Sequence, residues 1–132
     1  MSTNEGEVYF ALDGDNFDPN EITAFLGIEP TSVIVKGKPG SNKSSWKFSS
    51  GKIINDYIDT YDMASSLIET LEPKKELIIK AIEKFKVKAR FEVVLWFTCN
   101  ENISTPGIGF DEKTINFLGA VNAYIDIDTY KG

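Results

Sequence analysis

Apolar and polar residues alternate from Val8 to Asp13, with Val8, Phe10 and Leu12 on one side and Tyr9, Ala11 and Asp13 on the other. A period of two marks a strand with one buried face. The pattern breaks at Asp18, where Asp-Pro-Asn-Glu carries the start signals of a helix. Asp18 is placed to cap it, Pro19 suits the first helical position, and Glu21 sits where a capping box wants its carboxylate. Gly27 can turn left-handed and Pro30 blocks continuation. A helix of about two turns cannot stand alone in water, so Ile22, Phe25 and Leu26 must dock on a sheet. Alternation returns around Ser32 to Lys36. It appears again about Trp46 and Phe48, which point inward while Lys47 and Ser49 point outward.

From Asp59 the period lengthens to that of a helix, placing Tyr61, Ala64, Leu67, Ile68 and Leu71 on one face. Pro73 is best tolerated in a first turn and so starts a second helix, which buries Leu77, Ile78, Ala81, Ile82 and Phe85. Val87 to Cys99 is the longest strand pattern. Ala89, Phe91, Val93, Leu95, Phe97 and Cys99 share one side, and the other changes from Lys88, Arg90 and Glu92 to Val94 and Trp96. That strand should leave solvent at one end and be covered on both faces at the other. Ile108 to Phe110, preceded by Pro106 and broken by Gly107 and Gly109, reads as a short edge or bulged strand. Asp111 to Gly119 repeats the helix signature of Asp18 to Gly27, since both open on aspartate and close on Phe-Leu-Gly. The last strand alternates Ala123, Ile125 and Ile127 with Tyr124, Asp126, Asp128 and Tyr130.

The predicted order is β-α-β-β-α(α)-β-β-α-β, an α+β fold with a single mixed, largely antiparallel sheet and helices packed on it. Its first six elements match ferredoxin-like split βαβ units, and the last three repeat the opening unit. Residues 1–132 read as a single domain, of a size that needs neither disulfide nor metal to hold a core. No apolar run is long enough to span a bilayer, and the polar, acidic start is unlike a signal peptide. One cysteine, Cys99, excludes an internal disulfide and fits a reducing, cytoplasmic setting; its apolar register predicts a buried, inert thiol.

Charge adds segregation to this picture. The net charge of −6 argues against a nucleic-acid partner, but Lys36 to Lys52 holds five lysines and no acid, whereas Met1 to Val35 holds seven acids and no base. Lys36, Lys38, Lys43, Lys47 and Lys52, with Trp46 among them, form the expected binding segment for a protein partner. Lysines beside an aromatic would also suit an anionic ligand or a single nucleic-acid strand, yet no RNP, KH or helix-turn-helix signature accompanies them. The plain alternative is an exposed hairpin whose lysines face the acidic blocks while Trp46 caps the core.

The chain has no histidine, which excludes imidazole as base or metal ligand. Asp13 to Asp18 has the composition of a calcium loop but lacks the oxygen, glycine and terminal acid that an EF-hand requires, and turn chemistry explains it. Asp126 and Asp128 lie two apart on a strand and so project from one face. They are read first as the solvent side of a sheet. Otherwise they form, with Asp13 and Asp15 if the first and last strands are neighbours, a metal site for an enzyme acting on phosphate-containing substrates. No cofactor, catalytic residue or membrane association is expected, and the expectation leans away from an enzyme.

The run Tyr9-Phe10, Gly14-Asp15, Phe17-Asp18-Pro19, Glu21-Ile22-Thr23, Leu26-Gly27-Ile28, Pro30-Thr31, Lys36-Gly37, Trp46, Gly119 and Ile125-Asp126-Ile127-Asp128 resembles the small bacterial proteins grouped as DUF4279. The resemblance spans nearly the whole chain. It implies a bacterial intracellular protein of unassigned role and carries over no site residue. By analogy of size, it also admits a non-catalytic, immunity- or antitoxin-like binder.

Overall fold

A computed structural model describes residues 2–37 and 42–132. The chain runs β1 (Asn4–Gly14), α1 (Pro19–Leu26), β2 (Ser32–Ile34), β3 (Ser44–Ser49), β4 (Ile53–Asn55), α2 (Thr60–Leu71), α3 (Lys75–Phe85), β5 (Lys88–Phe97), α4 (Glu112–Ala120) and β6 (Tyr124–Lys131), with a turn of 3-10 helix between α2 and α3. The expected α+β class and largely antiparallel sheet are observed. Six strands form one sheet in the order β2-β3-β1-β5-β6, with β4 also against β1. Every pairing is antiparallel except β5 with β6.

Local signals place the helices. The Asp18 carboxylate accepts from Asn20 N at 2.9 Å, and Gly27 closes α1 at φ 70°. Asp59 and Asp111 cap α2 and α4 in the same way. The sheet's apolar side carries Val8, Phe10 and Leu12 of β1 beside Phe91 and Val93 of β5 and Trp46 of β3, all fully buried. Helices α1, α2 and α4 cover that side. Ile22 and Leu26, Ala64, Ile68 and Leu71, and Phe117 and Leu118 supply their buried residues, with Phe117 edge-on to Phe10 at 5.8 Å. The fourth helix, α3, lies against α1 and α4, and Phe85 meets Phe25 edge-on.

The structure corrects several expectations. Ile108 to Phe110 is not a strand. Pro106 offers no donor, and neighbouring backbone groups turn instead to the start of α2, with Gly107 N donating to Ile58 O and the Thr60 hydroxyl bonding Gly109. An isolated bridge joins Asp59 to Gly107, the residue before Ile108. The sixth strand is β4, which continues along the β1 edge that β3 leaves at Ser50, past a left-handed Gly51 at φ 89°. Tyr61 points out and is 46% exposed, because Thr60 and Met63 take the inner face. Cys99 is exposed, since β5 ends at Phe97 before its register reaches the cysteine.

The two similar sequence units also part company in space. Through α1 the chain connects β1 to β2 with β3 lying between them, whereas α4 connects β5 directly to its parallel neighbour β6. Gly27 ends its helix, but Gly119 lies inside α4 and the left-handed position falls on Asn122 at φ 60°. The two units that resemble each other in sequence therefore differ in how they connect their strands. Among the described residues no helix is long and apolar enough to cross a membrane.

Candidate functional site

The helices lie on one side of the sheet, and among the described residues no helix packs on the other face. Its residues follow from register: Tyr9 lies opposite Glu92, Ala11 opposite both Arg90 and Lys47, and Asp13 opposite Ser45. Ala11 is small and fully buried, leaving room for long cationic side chains on either side of it. Arg90 uses that room. Its Nε and Nη2 donate to the two Asp13 oxygens at 2.8 and 3.2 Å, and Nη1 donates to Glu92 Oε1 at 2.6 Å and Tyr9 Oη at 3.0 Å. Ser45 Oγ adds a bond to Asp13 at 2.7 Å, and Lys47 Nζ stands 4.2 Å from the centre of the Tyr9 ring. A planar fork of donors is what lets one cation serve both carboxylates.

Burial alone would raise the Asp13 pKa, but the Arg90 and Ser45 hydrogen bonds and the Arg90 charge hold it below the ordinary carboxylate value. The bond to Asp13, foremost, keeps Arg90 protonated at every accessible pH despite its burial. Burial raises Tyr9, outweighing Arg90. Glu92 behaves oppositely to Asp13. It is 2% exposed; Oε1 is held by Arg90, and Oε2 finds no donor. Burial first, and then the carboxylates of Asp128 and Asp126, push it up to about 7 against the pull of Arg90.

That difference fixes a sign. Glu92 prefers its proton more in the folded chain than at the ordinary value of 4.5. Its contribution to stability is therefore complete at low pH and falls away as pH rises toward about 7. Asp13 works in the other direction, losing stability as pH falls through the carboxylate range. The E92Q variant does not titrate at this position, so its stability relative to wild type should rise between about pH 5 and pH 8, by on the order of 3 kcal/mol. Urea unfolding of both proteins in chelator across that range checks it. A constant difference would show that Glu92 titrates normally.

Further along β5 and β6, Trp96 and Tyr130 stack face to face at 4.5 Å across the pair. Between this stack and Arg90, Glu92 stands opposite Asp126, with Asp128 two residues further along β6. One carboxylate oxygen from each lies within 4.8 Å of the others. Oxygen donors of this kind suit hard cations and offer nothing to soft ones.

The residues expected from sequence are dispersed differently. Trp46 is 0% exposed and donates from its indole nitrogen to Thr23 Oγ1, so it offers no ring to a partner and is a core residue. Lys52 pairs with Glu5 at 3.2 Å, Lys47 lies on Tyr9, and Lys36 and Lys43 are exposed. Lys38 lies outside the described residues. Strands β1 and β6 are separated by β5, so Asp13 and Asp15 do not join Asp126 and Asp128. Asp13 is committed to Arg90 and Ser45, and Asp15 lies in the exposed turn before α1. Sequence reasoning missed Arg90 and Glu92 as site residues. Their signal was two opposite charges on one side of a strand whose other side is wholly apolar.

No curated protein and no solved structure matches the chain. A family profile described as "Domain of unknown function (DUF4279)" matches residues 3–132.

Proposed function

The chain belongs to the DUF4279 family, a domain without an assigned role, and on that footing we propose that it is a non-catalytic domain that binds another protein. The observation that carries this reading is the free edge of β6. Among the described residues the strand is bonded to β5 on one side only, and Ile125 and Ile127 remain 42% and 41% exposed although they are in register with buried Phe91 and Val93. An unpaired strand with accessible apolar side chains is a template for an added strand. Asp126, on the opposite face, favours a partner segment that carries basic residues there. An immunity- or antitoxin-like inhibitor is one role such an edge would serve. The lysines between Lys36 and Lys52 are the competing surface.

Co-purification from the source cell separates the two. Wild-type chain should retain a partner that the I125K/I127K variant loses and that a variant with Lys36, Lys43 and Lys47 changed to alanine keeps. A lysine pair on the edge is a device that blocks strand addition while leaving a solvent-exposed strand folded. Capture unaffected by I125K/I127K, or no capture by the wild-type chain, overturns the reading.

A further inference from the structure

We propose that Glu92, Asp126 and Asp128 form a site for a hard divalent cation, calcium in preference to magnesium, on the open face of the sheet. The site shares the Asp126 side chain with the proposed partner edge, but it needs only side chains of the face and not the edge backbone.

Paired strands bring the donors together. Parallel pairing places Glu92 directly opposite Asp126, and the period of two puts Asp128 on the same face. Three carboxylate oxygens then lie within 4.8 Å of one another. Clustered acids at a surface are commonplace, but Glu92 is not at the surface. It is 2% exposed, Arg90 fixes one of its oxygens at 2.6 Å, and the other is buried without any hydrogen-bond partner. A buried carboxylate oxygen left without a donor is costly unless a proton or a cation occupies the space before it. Arg90 does not supply that charge, since its remaining nitrogens are spent on Asp13 and Tyr9. Among the described residues no lysine or arginine forms an ion pair with Asp126 or Asp128.

The ligand class follows from donors and spacing. Carboxylates without imidazole or thiolate select calcium, magnesium or manganese. Calcium accepts large, irregular oxygen shells, whereas magnesium demands a regular octahedron and gives up water reluctantly. Three carboxylates fixed by a strand pair therefore suit calcium better than magnesium. Asp126 is exposed, so water can complete the coordination shell. Arg90 is a positioning residue here: it holds Glu92 in the orientation that leaves Oε2 available.

Titration calorimetry of the full chain with calcium, magnesium and manganese chlorides, together with terbium luminescence sensitised by the neighbouring Trp96 and Tyr130, tests the site. One saturable site with terbium emission is expected, calcium binding more tightly than magnesium. D126N and D128N should each weaken calcium by about tenfold or more, as loss of ligand charge does in calcium loops, and the double variant should abolish binding. E92Q should also lose it, while D15N, an equal charge change outside the cluster, should leave it within about twofold. Both aspartates lie on an edge strand, so their amide variants remain folded, which circular dichroism verifies. Absence of heat and emission up to about 10 mM calcium, beyond the weakest calcium modules, overturns the proposal. So does binding that survives D126N/D128N, or that D15N weakens equally. Magnesium binding more tightly than calcium overturns the stated preference.

Discussion

Replacing Arg90 with alanine should destabilise the fold by about 3–5 kcal/mol, the loss seen when one partner of a buried ion pair is removed. Arg90 is itself only 17% exposed and stands between Asp13 at 6% and Glu92 at 2%. Its removal leaves the two buried carboxylates with, among the described residues, one side-chain donor, the Ser45 hydroxyl on Asp13. The Tyr9 hydroxyl loses its partner as well. Glu92 can relieve part of the cost by taking a proton, which it already favours, whereas Asp13 is held ionised and cannot do so cheaply. The loss should therefore grow with pH. R90K should recover only part of it, because an ammonium cannot bond both Asp13 oxygens and still reach Glu92 and Tyr9. Urea unfolding midpoints at neutral pH measure both variants. A loss below about 1 kcal/mol for R90A, the scale of an exposed pair, would show that the network is solvated and holds little.

Local chemistry was legible in the sequence, and long-range pairing was not. Asp18, Pro19 and Gly27 set the ends of α1 through contacts within a few residues, so their types alone reveal the helix. The same holds for Asp59 and Asp111. Ile53 to Asn55 gave no signal, because a three-residue strand is defined by the β1 edge it meets rather than by its own period. Ile108 to Phe110 gave a false one, since a short apolar run beside glycines can serve the start of a helix as readily as a sheet.

The acidic site divides in the same way. That Asp126 and Asp128 share a face follows from the period of a strand. Which strand lies beside them does not, and this decides whether Asp13 or Glu92 completes the cluster. Lys88, Arg90 and Glu92 suggested the solvent end of β5, yet Glu92 is buried. A guanidinium can carry a carboxylate below the surface, and only the register of β1 against β5 reveals that Arg90 is shared with Asp13.

Trp46 supplies the second large effect, and it separates a core residue from a binding platform. The ring is fully buried between α1 and the sheet, in register with Leu12 and stacked beside Phe48 at 6.5 Å. Its indole nitrogen donates to Thr23 Oγ1 at 3.1 Å, and the Thr23 hydroxyl in turn donates to Pro19 O, tying β3 to the first turn of α1. W46A removes the largest buried side chain and opens a cavity that α1, docked by few other residues, cannot fill, so a loss of about 3–5 kcal/mol is expected. W46F keeps an aromatic ring but gives up volume and the indole bond, and should cost about 1–2 kcal/mol. T23V leaves the indole N–H buried without an acceptor and should cost a comparable amount, about 1–3 kcal/mol. Trp96 persists in every variant, so its fluorescence and circular dichroism can follow urea unfolding in all three. W46F should capture any partner as wild type does, since no part of the ring reaches the surface. Loss of capture by W46F with stability unchanged would mean that the indole is presented to solvent, and that the lysine-flanked strand, not the β6 edge, is the binding surface.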